Sequence, residues 1–201
     1  MRLLFTTAIM GLSLATQAQS YRDSILQHRQ HYKQEFIEEE RSPLKGNDTA
    51  FLRFFEPDKN YRVSAQFQLT PDTKTFYMPT SSGKTKLYRQ YGLVHFKIGN
   101  KPCSLQVLQS QALIKDPKYK DDLFIPFTDE TTYDETYGGG RYLDIKTTDI
   151  VNGKVTLDFN KCYNPYCAFA GGYNCPIPPT ENRLKVAIRA GEKQFGKQVE
   201  H

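Results

Sequence analysis

The stretch that decides the fold class is YRVSAQFQL, residues 61–69. Apolar and polar side chains alternate along it, and successive side chains of a β-strand point to opposite faces. The alternation therefore predicts a strand with one buried face. The residues of that face are Tyr61, Val63, Ala65, Phe67 and Leu69. Thr70-Pro71-Asp72 has the composition of a turn, so we expect residues 75–78 to form a return strand.

Further segments with strand character follow at short intervals. Residues 86–98 predict a long strand broken at Gly92, and residues 103–109 predict its partner, with Leu105 and Val107 inward. The remaining candidates are residues 123–127, 141–150, 154–160 and 184–188. Short strands separated by turns predict a mainly β fold, an antiparallel barrel or sandwich of roughly eight strands.

Asn152-Gly153 is the strongest signal for a two-residue hairpin turn in the chain. It predicts that residues 141–150 pair with residues 154–160. On a ladder without a bulge, Arg141 lies on the same face as Asp158. We therefore expect these two side chains to form a buried ion pair.

Residues 21–40 predict an N-terminal helix that packs on or across the sheet. Apolar and aromatic side chains recur there at spacings of three and four, which places them on one helical face. That face consists of Tyr21, Ile25, His28, Tyr32 and Phe36. Pro43 ends the helix because the residue before a proline avoids helical geometry. We expect His28 to be partly buried and His31 to be solvated, both without a functional role.

Length and composition indicate an ordinary globular protein. The chain has 201 residues, of which 38% are hydrophobic, and we expect a single domain over residues 21–201. The formal net charge is only +5, and no run of basic residues is longer than two. Nucleic-acid binding is therefore not expected. Nothing in the sequence indicates a cofactor or an oligomeric state.

The first twenty residues, MRLLFTTAIMGLSLATQAQS, have the pattern of a secretory signal. Arg2 precedes a short apolar run, and small residues flank two candidate cleavage points near Ala18. The apolar run is too short to span a bilayer well, and no other transmembrane segment is predicted. We expect residues 1–20 to be removed and the rest to be a soluble protein of the periplasm or the extracellular space, where disulfides persist.

Residues 137–183 are the expected location of any functional site, since glycine and cysteine are concentrated there. The spacing of Cys162, Cys167 and Cys175 differs from that of a zinc knuckle, so we expect no metal site. The simplest arrangement is a disulfide between Cys167 and Cys175. Cys103 and Cys162 are then buried thiols or a second bridge.

Three classes of function fit this stretch. The first is a binding module for a small or anionic ligand, in which Arg141 takes the negative charge and tyrosines, Tyr166 among them, line the pocket. Its candidate ligand-binding residues are Arg141, Tyr142, Asp158, Asn160, Tyr163, Asn164 and Asn182. Gly138-Gly139-Gly140 could present backbone amides to the anion or simply form a tight bend.

The second class is a hydrolase or a thiol-dependent enzyme, in which Asp158 or Cys167 reacts and His95 acts as the base. Asp144 and Asp158 could also act as an acid–base pair, but the predicted ladder puts them on opposite faces. In the third class the motifs form an internal structural brace, and the function lies on another surface.

Several motifs resemble a bacterial family known as domain of unknown function 1684. They are TYGGGRYLD, LDFNKCYNPYCAF, CPIPPTENRL and IRAGEK, with weaker similarity at SPL, YRVSA and FIPFTDET. The resemblance implies an exported protein and supplies no activity. The positions that match its pattern are Tyr137, Gly138, Gly140, Arg141, Tyr142, Asp144, Asp158, Asn160, Tyr163, Asn164, Pro165, Cys167, Cys175, Pro176, Pro179, Asn182 and Arg183.

Overall fold

A computed structural model of the protein describes residues 6–199, with side chains from residue 19 onward. The helix α1 spans Thr6–Glu38, which confirms the predicted helix and extends it toward the N-terminus. Residues 1–5 of the predicted leader lie outside the described residues, and side chains are described only for its last two residues. The leader therefore stays a prediction. In the part of the chain that the structure describes, no helix is both long and apolar enough to cross a membrane.

The fold is mainly β, as predicted. Seven strands form one antiparallel sheet that curls into a half-barrel, in the order β6-β5-β4-β3-β1-β7, with β2 paired to β3. The strands are β1 (Arg62–Leu69), β2 (Thr75–Pro79), β3 (Thr85–Ile98), β4 (Lys101–Ser110), β5 (Asp122–Phe127), β6 (Arg141–Lys146) and β7 (Lys154–Asp158).

The long strand β3 carries two partners along one edge. Its first half pairs with β2 and its second half with β1, while β4 pairs along the other edge. The expected return strand is therefore present but pairs with β3 instead of β1. The predicted break at Gly92 is confirmed by a register shift between Gln90 and Gly92. A Cβ on Gly92 would lie 2.4 Å from the ring of Phe67, so the bulge also makes room for that ring.

The predicted hairpin over residues 141–160 is wrong, although its turn is present. Asn152 and Gly153 both have positive φ, 50° and 69°, but the turn joins only the isolated bridge between Val151 and Lys154. β6 pairs with β5 and β7 pairs with β1, at opposite ends of the sheet. A turn signal is local, whereas strand pairing depends on which faces can be buried together.

The main core lies on the inner face of the half-barrel. Every strand from β3 to β7, and β1, contributes to it. Among its fully buried side chains are Ala65, Val94, Leu105, Val107, Ile125, Phe127, Leu157 and Phe159. A second cluster joins Phe36 of α1 to Phe169 and Phe195, and therefore attaches the helix to the cysteine-rich loop and the C-terminal segment.

The segment predicted as a last strand, residues 184–188, is not a strand of the sheet and bends at Lys185 and Val186. Its residues alternate in burial, and Leu184 and Ile188 enter the main core. The Leu184 amide donates to the Thr128 carbonyl, and the Glu130 amide donates to the Val186 carbonyl. The segment therefore packs against the loop after β5 and helps to cover the core.

Candidate functional site

Arg141, the predicted ligand-binding arginine, is an internal brace. Its side chain is 1% exposed and pairs with Asp129 at 3.0 Å, which corrects the predicted pair with Asp158. The guanidinium also donates to the carbonyls of Ile188 (2.8 Å), Ala190 (2.6 Å) and Glu192 (3.2 Å). All of these contacts are internal, so the structure leaves Arg141 no access to a ligand.

The glycines before Arg141 form the tight bend that delivers it to the core. Gly140 has a φ of +82°, and a Cβ there would lie 2.6 Å from the carbonyl oxygen of Phe127. Only glycine tolerates this close approach in the left-handed region. The bend, rather than an anion-binding nest, accounts for the glycine run.

Two of the predicted ligand-binding asparagines pair with backbone in the manner of a strand. Asn182 accepts from the Gln106 amide (2.7 Å) and donates to the carbonyls of Gln106 (3.0 Å) and Pro126 (2.8 Å). Asn160 accepts from the Asp58 amide and donates to the Asp58 carbonyl, both at 2.8 Å. Both side chains are buried, so they stabilise irregular backbone where ladder hydrogen bonds are missing.

Asn164 lies beside a buried acid that the sequence did not single out. Its backbone N–H donates to Glu192 Oε2 (2.9 Å), and the Tyr32 hydroxyl donates to the same oxygen (3.0 Å). Burial raises the pKa of Glu192 to about 8. Among the residues described, Glu192 Oε1 and Asn164 Oδ1 have no hydrogen-bond partner. The signal that could have found Glu192 is its place in the IRAGEK motif.

The predicted catalytic residues lie in separate places. Asp158 accepts from the Tyr21 hydroxyl (2.9 Å) at the end of β7. His95 is exposed on β3, and Cys167 is bonded to Cys175 in the predicted disulfide. A disulfide sulfur is not a free thiol, and the structure brings none of these residues together as a nucleophile and a base.

A cavity of about 840 Å³ lies on the outer face of the sheet, and its lining is rich in aromatic rings. The predicted pocket residues Tyr142, Tyr163 and Tyr166 line it, together with Tyr88, Tyr119 and Phe124. We call it the larger cavity. Its polar lining includes three aspartates, Asp122, Asp144 and Asp149, and two lysines, Lys86 and Lys146.

Strand β6 aims two side chains at the larger cavity. Leu143 and Ile145 point into the core, so the alternation of a strand turns Tyr142 and Asp144 to the outer face. The Tyr142 hydroxyl donates to the Pro176 carbonyl at 2.5 Å. Backbone hydrogen bonds in both directions join Tyr142 to Tyr163 (2.9 and 3.0 Å) and hold the Tyr163 ring beside Asp144.

Asp144 is the carboxyl of this cavity whose pKa is displaced most clearly. Its Oδ2 accepts from the Tyr163 hydroxyl at 2.6 Å. Solvent reaches the carboxyl through the open cavity, yet the protein surrounds it closely on the other sides. This burial raises the pKa of Asp144 to about 6, although the bond from Tyr163 lowers it in part. The carboxyl can therefore gain or lose a proton near neutral pH.

A smaller cavity of about 340 Å³ shares Asp144, Tyr163 and Tyr166 with the larger one. Its other wall comes from α1, including His28 and Arg29. His28 was expected to have no functional role, and Arg29 was not singled out from the sequence. The signal was available, because Arg29 falls four residues after Ile25 and three before Tyr32, on the apolar face of the helix.

Comparison with known proteins places the fold in a family. The family model described as "Protein of unknown function (DUF1684)" matches residues 49–193. The chain belongs to the DUF1684 family. An uncharacterized protein from Haloarcula marismortui, solved by solution NMR, shares 30% sequence identity with this DUF1684 protein, and the two structures superpose with a TM-score of 0.63. The similarity covers 91% of this chain and 95% of the other.

A search of the curated proteins finds no match. The resemblance seen in the motifs is thus confirmed for the DUF1684 family, and neither comparison supplies an activity. The bacterial origin and the export of the protein stay predictions.

Proposed function

We propose that this DUF1684 protein is a binding module for a small ligand in the larger cavity. Its volume of about 840 Å³ lies within the range of small-molecule sites, roughly 300–1,000 Å³. Such sites combine an apolar lining with a few convergent polar groups. Here Tyr142 and Tyr163 supply the walls, and Asp144 anchors the polar end of the ligand.

The observation that carries this proposal is the carboxyl of Asp144, bonded to Tyr163 within an aromatic wall. A carboxyl with a pKa displaced by its surroundings, in a cavity, is typical of functional sites. The proposal replaces the expected anionic ligand with a neutral or cationic one, because Arg141 is not in the cavity and three aspartates face two lysines there. One of those lysines, Lys146, is already paired with Asp122 at 2.8 Å.

The cellular location of this binding module depends on the predicted leader. We propose that residues 1–20 direct the chain out of the cytoplasm and that residues 21–201 act outside the cytoplasm as one domain. The disulfide between Cys167 and Cys175 supports this setting, since such bonds persist in oxidising compartments.

The test is a protein-observed NMR titration with two ring-bearing probes, benzylamine as a cation and a phenyl glycoside as a neutral polyol. Saturable shifts are expected at the residues that line the larger cavity. Asp144→Asn should weaken benzylamine binding at least about tenfold, because it removes a charge-assisted hydrogen bond. The matched control is Asp134→Asn, an exposed aspartate outside the cavity.

Two results would contradict the proposal. In the first, neither probe gives a saturable response at the cavity residues. In the second, benzylamine binds Asp144→Asn as tightly as the wild type, which would show that the carboxyl does not hold the ligand.

Acid–base catalysis at Asp144 is a second candidate, favoured by one observation. A pKa of about 6 lies near the pH at which a general acid or base works best. A thiol mechanism has less support, because Cys167 is in a disulfide and burial raises the pKa of the Cys162 thiol to about 11. Hydrolysis of chromogenic esters or glycosides that is lost in Asp144→Asn would establish catalysis.

The third class, an internal brace, accounts for the residues that the binding module does not use. Arg141, Asn160 and Asn182 each bond to backbone of distant segments. We propose that these residues hold the walls of the cavity in place and do not touch the ligand.

A further inference from the structure

Arg29 is a buried guanidinium in the wall of the smaller cavity. Its side chain comes from the middle of α1 and is 8% exposed. One nitrogen, Nη2, donates to the Phe55 carbonyl at 2.8 Å, and the guanidinium lies over the ring of Phe54 at 4.7 Å. These contacts position the group but bring it no negative charge.

No carboxylate pairs with Arg29 in the part of the chain that the structure describes. Its Nε is buried without a hydrogen-bond partner. The acid that acts most strongly on its charge is Glu56, whose side chain is 85% exposed and faces Arg22 at 3.4 Å. A buried charge that lacks a counter-charge is costly. An anion bound in the smaller cavity would therefore stabilise the charge of Arg29.

Arg141 shows how this fold satisfies a buried guanidinium when the role is structural. There an aspartate and three backbone carbonyls meet the donors. Arg29 has one carbonyl and a ring. Arg141 is thus fully paired within the protein, whereas Arg29 is a buried guanidinium in a cavity wall with a donor that has no partner among the residues described.

Further basic groups surround Arg29. His28 and Lys161 line the same cavity. Burial lowers the pKa of His28, and the charges of Lys161 and Arg29 lower it further, while the charge of Asp158 raises it in part. The acids on the lining have other partners, since Glu35 lies 3.3 Å from His31 and Asp144 accepts from Tyr163.

We propose that the smaller cavity binds a small anion, a phosphate or carboxylate group, through Arg29 with His28 and Lys161 beside it. Its volume of about 340 Å³ is near the lower end of small-molecule sites, about 300 Å³, so the anion is small. Arg29 suits the role because a guanidinium presents its donors to phosphate and carboxylate in a planar fork. This anion site is distinct from the proposed ligand site of the larger cavity, because Arg29, His28 and Lys161 line only the smaller one, although the two cavities share Asp144, Tyr163 and Tyr166.

The experiment is a titration of the wild-type protein with inorganic phosphate and, separately, with acetate, at constant ionic strength set by chloride. NMR follows the Nε–Hε signal of Arg29 and the ring signals of His28. Saturable shifts are expected with a dissociation constant of about 1 mM or below. The two arms report which anion chemistry the cavity prefers.

The matched variants lie on the same helix. Arg29→Gln should weaken binding at least about tenfold, the scale of one lost charge-assisted hydrogen bond. Arg22→Gln, which removes an exposed arginine outside the cavity, should bind as the wild type does. Equal affinity of Arg29→Gln and wild type would overturn the proposal.

A second readout needs no variant at Arg29. Bound phosphate adds negative charge beside His28, so the pKa of His28 should rise when phosphate saturates the wild type. An unchanged His28 titration, or shifts that follow salt alone, would overturn the proposal. Benzylamine reports on the larger cavity and phosphate on the smaller one in separate titrations of the wild type, so failure of the larger cavity to bind its ligand is distinguishable from failure of this site.

Discussion

Replacing Glu192 by glutamine should make the protein more stable at alkaline pH. Glu192 is fully buried, and its Oε2 accepts from the Tyr32 hydroxyl and the Asn164 amide. Its Oε1 has no partner among the residues described. A glutamine keeps the accepting oxygen and places a neutral amide where the second carboxylate oxygen was. The variant Glu192→Gln therefore preserves the contacts and removes the buried charge.

The sign and size follow from linkage. The pKa of Glu192 rises from its ordinary value of 4.5 to about 8 on folding. Between these pH values the folded state binds more protons than the unfolded state, so wild-type stability falls as pH rises. The slope is at most about 1.4 kcal/mol per pH unit. Across the window the loss is at most roughly 5 kcal/mol, and Glu192→Gln avoids it.

The assay is urea unfolding of wild type and Glu192→Gln at pH 4.5 and at pH 8, the ends of that window. The difference between the two proteins should be small at pH 4.5 and favour the variant by several kcal/mol, at most about 5, at pH 8. Subtracting the free energy of unfolding of the wild type from that of the variant at each pH cancels the contributions of other titrating groups, such as Asp144. Glu130→Gln, at an exposed position, is the control. A difference that does not change with pH would refute the reasoning.

Two further predictions concern stability. Asp129→Ala should lower the free energy of unfolding by about 3–5 kcal/mol because it leaves Arg141 buried without its partner; a loss below about 1 kcal/mol, the scale of exposed pairs, would argue against a buried brace. Reducing the disulfide between Cys167 and Cys175 should cost roughly 2–3 kcal/mol. Urea midpoints with and without reductant measure this cost, and identical midpoints would contradict it.

Local patterns predicted much of the fold. The alternation in residues 61–69 identified β1, and the isolated Gly92 identified the bulge of β3. The disulfide was also within reach, since Cys167 and Cys175 are close in the sequence. Each of these features depends on residues close together in the chain, so a local sequence pattern is enough to predict it.

The pairing of distant segments could not be predicted in this way. Asn152-Gly153 gave the turn but not the strand partners, because β6 pairs with the preceding strand β5 and β7 pairs with β1, far away in the chain. Arg141 was expected beside Asp158 on that false ladder, and its true partner, Asp129, lies in the loop after β5. Long-range side-chain partners leave no local pattern in one sequence.

The candidate site shows the same division. Tyr142, Tyr163 and Tyr166 were predicted to line a pocket, and they do line the larger cavity. Arg29 was not identified from the sequence, because its candidate role depends on the absence of a paired carboxylate around it among the residues described. Such an absence is visible only when the surroundings of the side chain are known in space.

The position of Arg141 has a consequence for the order of folding. The carbonyls that receive its guanidinium belong to Ile188, Ala190 and Glu192, which follow it by 47, 49 and 51 residues. Contacts between segments so distant in the chain slow folding, because a long loop has to close before they form. The surroundings of the ion pair between Arg141 and Asp129 are therefore complete only once residues 188–192 have docked, and we expect this docking to be a late step of folding.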